Sequence, residues 1–254
     1  MAEAISKIKE KLESLAVTDI PDGVTEFKAD ERKGVVKLVA SAEKRYQNHL
    51  NELIRLEEIS AYEKECYNNG CTYVAGIDEV GRGPLAGPVV TAVVILKQGV
   101  IIEGINDSKK LSEAKREKLY DIILEEAVDY AIGIISPTEI DEINILQATY
   151  KAMQQCISGL KVKPDYILVD AVTIPNIEIK QKGIIKGDAK SISIGAASIV
   201  AKVTRDRMMK EYAQIFPEYD FEQNKGYGSS KHIQAIKQIG LCPIHRRSFV
   251  KNFM

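Results

Sequence analysis

Over the first 70 positions, apolar residues recur at helical spacing among lysines and glutamates. Ile5 to Leu15 reads as a short amphipathic helix and Pro21-Asp22-Gly23 as a turn. Asp30 to Cys66 reads as one or two helices with Leu50, Leu53 and Ile54 on a shared face, and Asn68-Asn69-Gly70 breaks the pattern. This stretch shows no recognisable chemistry and is expected to be an accessory helical extension, residues 1–70.

Beyond Gly70 the pattern becomes strand-like. Tyr73 to Val80 is a strand candidate. Pro88 to Leu96 is a nearly continuous β-branched run, which predicts a strand buried on both faces. The loop between them is dense in Gly and Pro and joins them as a hairpin-like connection. Ser112 is a good N-cap for a helix over Glu113 to Val128. Asp129 to Ile135 is a third strand, and a helix runs from Pro137 or Thr138 to about Leu160. Tyr166 to Val169 is a short strand ending at Asp170, and Ile184 with Ile185 marks a fifth. A helix after Asp188 reaches about Ile215, with Ile192, Ala196, Ile199 and Val203 at helical period, and Pro217 ends it. A loop over Asn224 to Gly228 precedes a last helix from about Ser230 to Ile239. This order predicts an α/β layered domain with a mixed sheet over residues 71–254.

Composition narrows the class. The 254 residues are 45% hydrophobic and 28% charged, enough for a sizeable core. No apolar run reaches membrane-spanning length and the start lacks a hydrophobic signal core, so no membrane association is expected. Four scattered cysteines without a C-x-x-C pair, with three histidines, disfavour zinc and fit free thiols in a reducing cytoplasm. Net charge is −1, yet Asn224 to Met254 holds six basic residues (Lys225, Lys231, Lys237, Arg246, Arg247, Lys251) and no acid. That tail is either a solvated basic surface or a phosphate-binding face.

Four acids stand out: Asp78, Glu79, Asp170 and Asp188. Sites in open α/β sheets form at strand carboxyl ends, where Asp78, Glu79 and Asp170 fall. Asp170 is either a strand-end cap or a ligand, and Asp188 either a helix N-cap or a ligand. Neighbouring strand residues point to opposite faces, so Asp78 and Glu79 share a site only if the chain bends, which the following glycines allow. Asp141 and Glu142 read as a solvated helix face. An all-oxygen set suits Mg²⁺ or Mn²⁺. Two such ions about 3.5–4 Å apart can clamp a phosphodiester.

The glycine loop is neither a P-loop nor a convincing dinucleotide fingerprint, so no organic cofactor is expected. Gly81-Arg82-Gly83 can bring bare backbone against a phosphate or sugar. Tyr227, between two glycines, is either a core ring or a stacking platform for a sugar or base. Lys109, Ser191 and Ser193 lie at or near helix starts, where phosphate contacts are common.

Together these residues resemble bacterial ribonuclease HII, a type 2 ribonuclease H. The resemblance rests on Asp78 to Pro88, Asn106 to Leu111, Val169-Asp170-Ala171, Lys186-Gly187-Asp188, Ala196 to Asp206 and Asn224 to Gly228, and it covers residues 71–248. It implies an RNase H-like three-layer fold: a mixed five-stranded sheet flanked by helices, plus C-terminal helices. It implies that Asp78, Glu79, Asp170 and Asp188 are the catalytic, metal-holding set. Gly81, Arg82, Gly83 and Tyr227 would recognise the ribose 2′-hydroxyl, with Lys109, Ser191 and Ser193 as phosphate contacts. The implied activity is cleavage of RNA in RNA–DNA hybrids and cleavage 5′ to a single ribonucleotide in duplex DNA, leaving 3′-hydroxyl and 5′-phosphate ends, by an enzyme expected to be a monomer. Gly81-Arg82-Gly83 favours type HII over type HIII, and the 70-residue leader resembles the helical extension of some Gram-positive members. Two other readings compete: another RNase H-like nuclease without the ribose sensor, and a non-catalytic nucleic-acid-binding module.

Overall fold

The computed structural model describes residues 3–251 and divides into two compact units, Met1–Glu58 and Ile59–Met254. The first unit contains α1 (Ile5–Ser14), α2 (Ile20–Gly23) and most of α3 (Lys33–Ile59). Ile8, Leu12, Ile20, Val24, Phe27, Val35, Val39 and Ala42 form its core. The expected turn at Pro21-Asp22-Gly23 is one turn of helix. Arg45 donates to the carbonyls of Leu12 and Leu15, satisfying groups that the end of α1 leaves unpaired.

The second unit begins with α4 (Ala61–Asn68) and is built on five strands: β1 (Val74–Val80), β2 (Val89–Leu96), β3 (Ala127–Ile135), β4 (Tyr166–Asp170) and β5 (Lys180–Ile184). Their order is β3-β2-β1-β4-β5. β1, β2 and β3 pair antiparallel in succession, whereas β4 and β5 run parallel to β1. The sheet is mixed and five-stranded, as expected, and β2 is buried throughout.

Strand alternation assigns the two faces. Ala75, Ile77, Val93, Ile95, Ile167 and Val169 pack on Met153 and Cys156 of α7 (Ile145–Ser158). Val74, Leu168 and Ile184 face Ile194 of α8 (Ile192–Ile215). Gly76 lets α8 lie flush on β1: a Cβ there would stand 2.1 Å from the Ser193 carbonyl carbon. α5 (Glu113–Glu126) begins at Ser112, whose hydroxyl accepts from the Lys115 N–H as a cap. α9 (Phe221–Asn224), α10 (Ser230–Ile239) and α11 (Arg247–Val250) follow α8. Their core includes Phe221, Ile236 and Val250, and Leu85 and Ala86 of the glycine loop insert into it.

Three elements differ from expectation. β5 spans Lys180–Ile184 instead of centring on Ile184 and Ile185, and Ile185 is 72% exposed. As an edge strand with alternating lysines it gives no apolar signal. The helix expected from 137 to 160 is two: α6 (Pro137–Ile143) and α7, separated by Asn144 at φ 68°. The Asn144 side chain accepts from the Leu146 and Gln147 N–H groups and starts α7 itself. Asp188 does not cap α8. It lies in a single 3₁₀ turn, Gly187–Ala189, and Ser191 caps the helix through the Ile194 N–H.

Candidate active site at the strand carboxyl ends

β1 and β4 are adjacent and parallel, and the pair Ile77 with Val169 is the last of their register. Asp78 and Asp170 come next in each strand, so alternation turns both toward α8. Asp78 is 6% exposed. Its Oδ1 accepts from the Glu79 N–H at 2.7 Å, and Ser198 of α8 hydrogen-bonds its carboxylate. Asp170 Oδ1 accepts from the Gly187 N–H at 2.7 Å, which ties β4 to the turn carrying Asp188. Glu79 Oε1 pairs with Arg82 at 3.2 Å, while Glu79 Oε2 is buried with no hydrogen-bond partner.

Electrostatics link the four acids. Burial pushes the Asp78 carboxyl well above the usual carboxylate range, and Glu79 and Asp170 push it further. Burial also raises Glu79, with Asp170 adding to it, against the opposing charges of Arg82 and Lys109. Asp188 is raised by burial and then by Asp107 and Asp170, and Lys109 opposes this. Among the described residues no three of these groups stand in ready-made ligating geometry. Asp78, Glu79 and Asp170 instead each spend one oxygen on a nearby N–H. Mutually repelling carboxylates with an orphaned buried oxygen nevertheless fit a hard divalent cation. Its charge would offset the repulsion, and its preferred donors are oxygens.

The glycine loop is held very differently. Gly81 has φ +92°, and a Cβ there would meet Arg205 Nε at 2.3 Å. Arg205 and Arg246 are fully buried and spend their guanidinium groups on backbone carbonyls. Arg205 donates to Pro88, Ala86 and Lys225, and Arg246 to Gly87, Arg82 and Gly81. A trans peptide sets its N–H opposite its C=O. Drawing the Gly81 and Arg82 carbonyls inward therefore turns the Arg82 and Gly83 N–H groups outward.

The 224–228 loop is stitched to the same segment, because the Leu85 N–H donates to the Gly226 carbonyl at 2.8 Å. Tyr227 is 46% exposed, and its Cε1 lies 3.9 Å from where a Gly83 Cβ would stand. The Tyr227 carbonyl meets His232 Nδ1 at 2.9 Å. His232 Nε2 meets His245 Nε2 at 2.9 Å, and His245 Nδ1 accepts from the Cys242 N–H.

Several expectations are corrected. Ser191 and Ser193 are buried, and both hydroxyls donate to Glu63 Oε1, so they do not face a phosphate. Arg246 of the basic tail is internal for the reason just given. Glu142 is exposed as expected, whereas Asp141 is half-buried, accepts from the Arg247 and Ser248 N–H groups and tethers α11. Lys109 is exposed, with its charge felt at Glu79 and Asp188, in keeping with a place beside the acids. Sequence reasoning missed Ser198, Arg205, Glu63, Asp107 and the two histidines. A faint sign existed for Arg205, which sits one turn from Ala201 and Met209 on the buried side of α8.

Residues 75–252 match the family model described as Ribonuclease HII, and residues 4–67 match that of the Ribonuclease HII N-terminal domain. The chain is 53% identical to the ribonuclease HII of Clostridioides difficile, over 99% of both chains. It is 50% identical to that of Acetivibrio thermocellus, over 98% of both. The crystal structure of ribonuclease H2 from Pyrococcus horikoshii superposes with a TM-score of 0.61 at 32% identity, covering 72% of this chain and 97% of that one. The matches run through both the helical leader and the acid-bearing sheet, and the chain thus belongs to the ribonuclease HII family and is a ribonuclease H enzyme.

Proposed function

We propose that the chain hydrolyses the RNA strand of RNA–DNA hybrids and cuts 5′ to single ribonucleotides in duplex DNA, leaving 3′-hydroxyl and 5′-phosphate ends. The observation that carries this reading is the juxtaposition just described. A repelling acid cluster adjoins a loop with outward amides, and an aromatic ring lies over that loop.

Asp78, Glu79, Asp170 and Asp188 would hold Mg²⁺ or Mn²⁺. A divalent cation there supplies Lewis acidity to the scissile phosphate and lowers the pKa of water. The chain's own residues do the rest. The outward amides at Arg82 and Gly83 donate to the ribose 2′-hydroxyl, the group that distinguishes RNA from DNA. Tyr227 stacks on the sugar or base at the junction, and Gly83, having no side chain, leaves room for it. Lys109 and Arg82 offset phosphate charge at the rim. The reacting groups all lie within residues 71–254, and the leader through residue 70 contributes none of them.

The test is a duplex DNA carrying one ribonucleotide, incubated with Mg²⁺, Mn²⁺ or chelator. Metal-dependent cleavage 5′ to the ribonucleotide is expected. Cleavage of all-DNA duplex, or binding without cleavage, would defeat the proposal.

A further inference from the structure

Glu63, in α4, belongs to the extension yet is 4% exposed inside the sheet-bearing unit. Its Oε1 accepts three hydrogen bonds from the start of α8: the Ser191 hydroxyl at 2.5 Å, the Ser193 N–H at 3.1 Å and the Ser193 hydroxyl. Oε2 is buried without a partner. A carboxylate at the N-terminus of a 24-residue helix is favoured by the helix dipole. Its chief effect here is geometric. The Ser191 hydroxyl both donates to Glu63 and accepts from the Ile194 N–H, so Glu63 fixes the rotamer that caps α8.

Asp188 is built onto that same turn. The Ser191 N–H donates to the Gly187 carbonyl at 2.9 Å. A Cβ on Gly195 would stand 3.1 Å from the Asp188 carbonyl oxygen, and one on Gly187 2.6 Å from Ile194 Cδ1. The 3₁₀ turn and the first turn of α8 therefore move together, with β1 closely packed beneath them at Gly76.

We propose that Glu63 is a positioning residue for Asp188, so that the last helix of the extension is a working part of the metal-holding centre. This rests on the reading of Asp188 as a cation-holding acid.

The test uses the full chain, with Mn²⁺ titrated calorimetrically in the absence of substrate and steady-state cleavage measured separately. Glu63→Ala is expected to weaken Mn²⁺ binding about 10- to 100-fold, the usual effect of removing a residue that orients a ligand. It should lower kcat while leaving KM unchanged. Glu63→Gln keeps the accepting oxygen and is expected to hold Mn²⁺ within about threefold of the parent. A folded Glu63→Ala variant with a lower Tm but parental Mn²⁺ affinity and kcat would overturn the proposal, as would a Gln variant as impaired as Ala. If the Ala variant does not fold, Glu63→Asp is judged by the same two measurements, because its shorter reach cannot hold both hydroxyls in place. Asp188→Asn run alongside separates the two claims. If it binds Mn²⁺ and turns over normally, the site assignment fails. If it loses both while Glu63→Ala loses neither, only the positioning role fails.

Discussion

The acid cluster and the glycine loop adjoin along β1 and are built on opposite principles. In the cluster, burial and like charge push Asp78, Glu79 and Asp188 toward neutrality, and one Glu79 oxygen lacks a partner. In the loop, five carbonyls, with that of Lys225 from the neighbouring 224–228 loop, meet two buried guanidinium groups, and Gly81 takes a positive φ that glycine tolerates. The cluster keeps unrelieved repulsion and an unpartnered oxygen, whereas the carbonyls of the loop are satisfied within the fold. On the proposed function, the repulsion would be relieved by a cation, and the satisfied backbone would present a rigid surface to substrate.

Mutation should separate the two. Asp78→Asn is expected to lower turnover by at least about 10³-fold, roughly 4 kcal/mol of barrier. It should also raise Tm, because a buried repelled charge is removed; retained turnover in a cleavage assay would take Asp78 out of the metal site. In the loop the sign on stability reverses. Arg246→Met strands the buried Gly81 and Gly87 carbonyls at about 1–3 kcal/mol each and frees that of Arg82, so urea unfolding should show a loss of at least about 2 kcal/mol. A neutral result would mean the loop is not held by that side chain. Tyr227→Ala should cost about 1–3 kcal/mol at a lone ribonucleotide, the worth of one stacked base, with little change in Tm. Equal losses on all-DNA duplex binding would make the ring merely structural. The two glycines refine the contrast. Gly81→Ala is strained at positive φ and clashes with Arg205, so it should cost at least about 1 kcal/mol of stability. Gly83→Ala would place a Cβ in ordinary contact with Tyr227 Cε1 at 3.9 Å and should leave stability unchanged while lowering cleavage.

The smallest effect is on pH. The folded state holds protons on Asp78, Glu79 and Asp188 above the ordinary carboxylate values of 3.8 and 4.5. In that window the folded chain binds more protons than the unfolded one, so metal-free stability falls as pH rises through the raised values. Saturating Mg²⁺ should abolish the fall, and a pH-independent Tm without metal would contradict the electrostatic account.

Much of this was legible in local pattern. The buried β2 run, the Ser112 cap and the Gly81-Arg82-Gly83 turn are written in neighbouring residues. β5 was obscured because an edge strand earns its place by backbone pairing, not by apolar side chains. Arg205, Arg246 and Glu63 escaped notice because their partners lie far along the chain. For the arginines these are main-chain carbonyls, which leave no complementary residue to look for. The tail of six basic residues was read as surface, although Arg246 is among the most deeply buried side chains of the described residues.

The chain of contacts beneath Tyr227 has a fixed direction. The Cys242 N–H reaches His245 Nδ1 at 3.0 Å, closer than the 3.3 Å approach of the Cys242 carbonyl, so His245 Nδ1 receives and its proton sits on Nε2. The Tyr227 carbonyl can only receive, so the His232 proton sits on Nδ1. Between them the His245 Nε2 proton points at the bare His232 Nε2, and each neutral ring holds one defined tautomer. A second proton on His232 would set two N–H bonds head to head. Burial resists that charge, drawing His245 down to about 4 and lowering His232 as well. Strong acid, by charging this buried pair, should therefore loosen the turn that carries Tyr227.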